Sequence, residues 1–73
     1  MYTDDELRNA AMNFETLDAM YESIKAQHLA YLDESDLALA RKDIRRWEEI
    51  EPKKTALAEQ ADKLIAYGKE FLG

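Results

Sequence analysis

The stretch LRNAAMNFETLDAMYESIKAQHLAY, residues 7–31, decides the fold class because its apolar side chains recur at alternating steps of three and four residues. This spacing places one apolar seam along a single face of an α-helix, as in coiled coils and helical bundles. Further apolar residues widen the seam beyond a strict two-position stripe, which favours a bundle over a lone two-stranded coil. The seam consists of Leu7, Ala10, Phe14, Leu17, Tyr21, Ile24, His28 and Tyr31.

The rest of the 73-residue chain also favours helix, because two Gly and one Pro stand in a background of Ala, Leu, Glu and Lys. Thr3 and Glu6 have the spacing of a capping box, which marks a helix start. A similar start signal follows at Asp33, and it predicts a tight turn at residues 32–35. Pro52 interrupts the second apolar pattern, since a proline inside a helix removes one backbone donor and clashes with the preceding turn.

The expected architecture is all-α, an antiparallel helical hairpin with a kinked second arm, formed by helices at about 4–32, 34–50 and 52–72. A three-helix bundle and a dimeric four-helix bundle are the alternatives. With the turn at residues 32–35, Tyr21 and Trp47 would face each other and anchor the hairpin. The length allows one domain, residues 1–73, with a small core and no disulfide to support it, because the chain has no Cys.

The formal net charge of −6 is concentrated in the N-terminal half, where residues 1–36 carry nine acidic and two basic side chains. Phosphate backbones and anionic membrane surfaces repel such a segment. No apolar run approaches the ~20 residues of a membrane span, and the N-terminus lacks the pattern of a secretory signal. We therefore expect a cytoplasmic protein that binds neither nucleic acid directly nor membranes.

A basic cluster contrasts with this acidic background, because residues 41–54 contain six of the ten basic side chains. Glu49 lies four residues after Arg45, a spacing that brings opposite charges together on a helix. Acidic residues of the first helix would also lie across the predicted hairpin. We therefore expect internal neutralisation and a secondary charged surface made of Asp18, Glu22, Arg41, Arg45 and Arg46.

The sequence offers no arrangement suited to catalysis, to a cofactor or to a metal ion. His28 is the only histidine, and no carboxylate or second histidine lies three or four positions from it, as a helical metal site would need. Ser23 and Ser35 have no base at a suitable spacing, and no Gly-rich phosphate loop occurs. A non-enzymatic protein without cofactor or metal is expected.

The apolar residues near the C-terminus extend beyond what the first helix covers in the predicted pairing. Exposed apolar patches of this kind usually mark an interface. The expected interface consists of Leu57, Leu64, Ile65, Tyr67, Phe71 and Leu72. Its partner would be a second copy or a different protein; alternatively, the tail folds back onto the first helix in a three-helix arrangement.

These patterns indicate a small acidic protein–protein interaction module of the assembly-chaperone, adaptor or inhibitor type, self-associating through the C-terminal stripe. In size and pattern the chain is similar to assembly chaperones of secretion systems and to small phage-encoded inhibitors, although no signature residue carries the likeness. The alternative is an acidic nucleic-acid mimic, such as a phage-encoded anti-defence protein. Such a mimic would use the acidic first helix to block the basic groove of a nucleic-acid-binding protein.

Overall fold

A computed structural model describes residues 1–73, which form three α-helices and no strand. Helix α1 spans Asp4–Ala11, α2 spans Phe14–Ala40, and α3 spans Ile44–Leu72. The all-α prediction is confirmed. The predicted helix boundaries, however, differ from these in three places.

The first difference is a break at Met12 and Asn13, inside the segment predicted as one helix. Asn13 has extended backbone angles, and its side chain accepts a hydrogen bond from the backbone N–H of Glu15, which makes it the N-cap of α2. The Thr16 hydroxyl donates to the carbonyl oxygen of Ala10 at 2.6 Å and so satisfies one of the carbonyls left free at the end of α1. The chain changes direction here, and α1 becomes a separate short helix.

The second difference is the position of the long reversal, which the sequence pattern placed at residues 32–35. That prediction is wrong, because α2 continues to Ala40 and the chain turns at residues 41–43. Lys42 adopts a φ of 58°, the left-handed conformation that ends many helices. Asp43 then caps α3 by accepting a hydrogen bond from the backbone N–H of Arg46 at 3.1 Å.

The third difference concerns Pro52, which lies inside α3 and does not separate two helices. The predicted division into helices at about 34–50 and 52–72 is therefore wrong. A proline in a helix leaves one carbonyl of the preceding turn without its usual donor. Pro52 is exposed, so water can reach this part of the helix.

Helices α2 and α3 pack antiparallel along their lengths, and α1 lies against one side of this pair. Leu17 of α2 packs directly onto Gly68 of α3, where a Cβ atom would overlap the end of the Leu17 side chain. The start of α1 is fixed to both long helices. The Tyr2 hydroxyl is 3.0 Å from the hydroxyl of Ser23, and the Gln60 side chain bonds to both the backbone N–H and the carbonyl of Tyr2.

The main core therefore lies at the end of the molecule where all three helices meet. Its buried members come from all three helices and are Leu7, Ala10, Ala11, Ile24, Leu57 and Leu64. The other end contains only α2 and α3, where Ile50 and Ala38 are buried together with Ser35. The Ser35 hydroxyl donates a hydrogen bond to the Glu51 carboxylate and accepts one from the Lys54 ammonium group. Glu51 and Lys54 also form an ion pair with each other. The whole molecule measures 44 × 17 × 16 Å.

Candidate protein-interaction surface

The predicted C-terminal stripe divides between the core and the surface. Leu57 and Leu64 are 2% and 0% exposed, respectively, and pack inside the three-helix core. In this structure they are not accessible to a partner, because α1 folds over this part of α3. Ile65 and Phe71 are 36% and 41% exposed, and Leu72 is half-buried.

Tyr67, another residue of the predicted interface, contacts α1. Its hydroxyl donates a hydrogen bond of 2.6 Å to the Asp4 carboxylate, and the Arg8 guanidinium lies 5.3 Å from the centre of its ring. The proximity of the Tyr67 hydroxyl, and next that of the Asp4 carboxylate, raises the pKa of Arg8 above its ordinary value. The Phe71 ring stacks on Tyr67 with the ring centres 6.1 Å apart. Tyr67 therefore joins α1 to α3, and Phe71 extends this contact toward the C-terminus.

Ile65 and Leu72 lie on the other side of α3, away from α1. Together with Phe14 and Leu17 of α2 they line an open, mainly apolar depression of about 240 Å³. Phe14, a large aromatic side chain at the start of α2, is 70% exposed. This combination of accessible, clustered apolar side chains is typical of a binding surface.

A second depression of about 220 Å³ lies further along the same side of the molecule, lined by Tyr21 and His28 of α2 and by Ala58 of α3. Phe14, Tyr21 and His28 are seven residues apart, as are Ala58, Ile65 and Leu72. Two helical turns separate such residues, so each set keeps to one side of its helix. We call the surface formed by these six residues the open face.

The secondary charged surface is not the internally neutralised cluster that the sequence predicted. Arg46 pairs with Glu34 at 2.9 Å and with Glu49 at 3.4 Å, whereas Arg41 and Arg45 are exposed and make no ion pair. Because the chain turns at residues 41–43 and not at 32–35, the basic cluster lies at the turn end of the helix pair. Asp18 and Glu22 lie in the half of α2 that is far from this turn. The predicted contact between these acids and the basic cluster is therefore wrong.

The predicted contact between Tyr21 and Trp47 also disappears with the shift of the turn. Tyr21 shares its depression with Leu57 and Ala61, while Trp47 lies in the first turn of α3. Both aromatic side chains are half-buried. They belong to opposite ends of the helix pair.

No group of three or more His, Cys, Asp or Glu side chains is arranged to hold a metal ion. A membrane span would need a long helix of sustained high hydropathy with few charges, and none of the three helices has that character. Comparisons with protein-family models, with curated proteins and with solved structures found no match.

Phe14 is the main residue of the open face that sequence reasoning missed, because it was assigned to the buried seam. A signal for its exposure was present in Asn13, a residue type that often caps helices. A helix start at this point turns Phe14 into the first residue of a new helix. Its side chain then no longer follows the face that Leu7 and Ala10 direct into the core.

Proposed function

We propose that this chain is a non-enzymatic protein–protein interaction module, of the assembly-chaperone, adaptor or inhibitor type, that binds its partner through the open face. The observation that carries the proposal is the depression in which the highly exposed Phe14 lies beside Ile65 and Leu72. It revises the interface expected from the sequence, because Leu57 and Leu64 contribute to the core and Phe14 takes their place.

The energetic reason is the cost of leaving these side chains in water. Full burial of a large apolar side chain stabilises a protein or complex by roughly 1.5 to 3 kcal/mol. A domain of this size has a net stability of only about 4 to 11 kcal/mol, if each residue contributes 0.05 to 0.15 kcal/mol. Covering the exposed 70% of Phe14 and 36% of Ile65 would therefore yield about 1.5 to 3 kcal/mol, which is a substantial fraction of that net stability.

A site-specific photocrosslinking experiment tests this function. A photoreactive phenylalanine analogue placed at Ile65 would lie on the open face, whereas the same analogue at Lys63 would lie beside Tyr2 on the α1 side. We expect a defined protein adduct from position 65 and none from position 63, after irradiation of cells that contain the protein. The absence of any adduct from position 65 would reject the proposal.

Polar substitution provides the matched control for that experiment. Changing Phe14 to Gln in the variant that carries the crosslinker at position 65 should remove the adduct while helicity stays unchanged, because Phe14 is mostly exposed. A loss of helicity would instead mean that Phe14 stabilises the fold and that the open face is not free.

A second candidate function, nucleic-acid mimicry, has one specific observation in its favour. Five exposed acidic residues along α2 make no ion pair: Glu15, Asp18, Glu22, Asp33 and Asp36. A mimic would bind a basic protein in a salt-sensitive manner. Charge reversal at Glu22 and Asp33 would then abolish binding, whereas binding through the open face would persist in this variant.

A further inference from the structure

The open face carries an alternating set of charges beside its apolar residues, and these charges suggest what covers it. Asp18 lies between Phe14 and Tyr21 along α2, and Lys25 follows one heptad later. On α3 the exposed Asp62 and Lys69 are also seven residues apart. Lys25 and Asp62 line the depression at Tyr21, and Lys69 lines the depression at Phe14.

The two pairs of charges lie at matching levels along the molecule. Leu17 of α2 packs against Gly68 of α3. The residues that follow them, Asp18 on α2 and Lys69 on α3, therefore lie at nearly the same level along the helix pair. Moving two turns along both helices leads to Lys25 on α2 and to Asp62 on α3, because the helices are antiparallel. At each level, therefore, one helix carries an acid and the other carries a base.

None of these four side chains makes an ion pair within the chain. A two-fold axis parallel to the helices would pack the open faces of two copies together, with α2 of one copy opposite α3 of the other. This two-fold rotation leaves the position of each residue along the axis unchanged. Asp18 would then face Lys69 of the second copy, and Lys25 would face Asp62 of the second copy, so that all charges meet opposite charges.

We propose that the open face binds a second copy of this chain in this parallel orientation, which forms a four-helix bundle from α2 and α3 of both copies. The inference rests on the proposed function, since it names the occupant of the same face. Helix α1 stays on the outer side of each copy, where it does not obstruct the contact.

The test is a charge-swap series measured by sedimentation equilibrium over about a hundredfold range of concentration, with helicity followed in parallel. The unmodified chain should show a concentration-dependent dimer. Asp18→Lys should raise the dimer dissociation constant on the order of tenfold, because two attractive contacts per dimer become repulsive. The double variant Asp18→Lys with Lys69→Asp should return the constant close to its original value.

Glu59→Lys is the matched control, because it changes the net charge equally but lies beside Tyr2 on the α1 side. It should leave the dissociation constant nearly unchanged. An equal effect of Glu59→Lys and Asp18→Lys would mean that only overall charge matters, and it would overturn the proposed contacts. Rescue of Asp18→Lys by Lys25→Asp, without rescue by Lys69→Asp, would also overturn the parallel orientation, since an antiparallel dimer brings α2 against α2.

A monomer at every concentration would reject the second copy as the occupant. The crosslinker at position 65 separates this failure from that of the proposed function. An adduct of twice the chain mass agrees with self-association, whereas an adduct with another protein from a monomeric chain overturns the dimer and leaves the interaction module standing. No adduct at all would reject both.

Discussion

The substitution Leu64→Ala tests whether the C-terminal stripe of α3 contributes to the core or to an interface. Leu64 is 0% exposed and lies where all three helices meet, together with Leu7 and Ile24. The change removes three carbon atoms, which corresponds to about 2.4 kcal/mol of lost transfer energy at ~0.8 kcal/mol per group. The cavity left between three helices adds to this, so we expect a total loss of about 3 to 4 kcal/mol.

Phe14→Ala is the matched comparison, because it removes more carbon atoms from a side chain that is 70% exposed. Alanine also has a higher helix propensity than phenylalanine by a few tenths of a kcal/mol. We therefore expect Phe14→Ala to lower the stability of the monomer by less than about 1 kcal/mol. The larger side chain should thus give the smaller effect, and the reason is its position outside the core.

Urea unfolding followed by circular dichroism measures both changes, at a concentration low enough for the unmodified chain to be monomeric. The expected loss for Leu64→Ala is about a quarter or more of the total stability estimated for a chain of this length. A loss below about 1 kcal/mol, or one smaller than that of Phe14→Ala, would refute the assignment of Leu64 to the core. It would also revive the prediction that Leu64 belongs to an interface.

Three further predictions concern the turn, the helix contact and the first helix. Lys42→Gly should stabilise the chain by about 0.5 to 1 kcal/mol in the same urea assay, because glycine adopts the positive φ of 58° without the cost of a side chain. Gly68→Val should destabilise it by about 1 to 3 kcal/mol, because a side chain at this position overlaps Leu17 and must displace it. Hydrogen bonds from the backbone N–H and then the hydroxyl of Thr3 lower the pKa of Glu6 below its ordinary value of 4.5. Their contribution is therefore present above that value and lost as the pH falls through the lowered pKa, so the protection of the first-turn amides of α1 against exchange, corrected for the intrinsic exchange rate, should fall on acidification, and Glu6→Gln should remove this dependence.

Local sequence signals predicted the helical class and the first helix start correctly. The capping box at Thr3 and Glu6 is present with both of its hydrogen bonds. The break at Asn13 was missed because the apolar seam keeps the same three- and four-residue spacing on both sides of it. The same spacing fits one continuous helix and two consecutive helices equally well. In the structure, the hydrogen bonds of Asn13 and Thr16 show that there are two helices.

The turn was misplaced because the true reversal lacks the usual residues. Lys42 adopts the left-handed conformation that glycine or asparagine would signal in a sequence. Asp33 and Asp36, by contrast, imitate a helix start but are exposed positions within α2. Because every contact between antiparallel helices depends on the position of the turn, this one error also changed the predicted partners of Tyr21 and of the basic cluster.

The candidate site was only partly predictable, because helical periodicity does not reveal which side of a helix pair a third helix will cover. The eight residues of α1 are about 12 Å long at 1.5 Å per residue, so α1 covers about a quarter of a molecule 44 Å in length. It buries Leu64 and contacts Tyr67, while Ile65 remains on the uncovered side. At the far end no third helix exists, and Leu39 and Ile44 stay exposed beside the small buried group around Ile50. Two helices alone form a marginal core, and the six open-face residues lie at the opposite end of the molecule, so association through the open face leaves this far end uncovered.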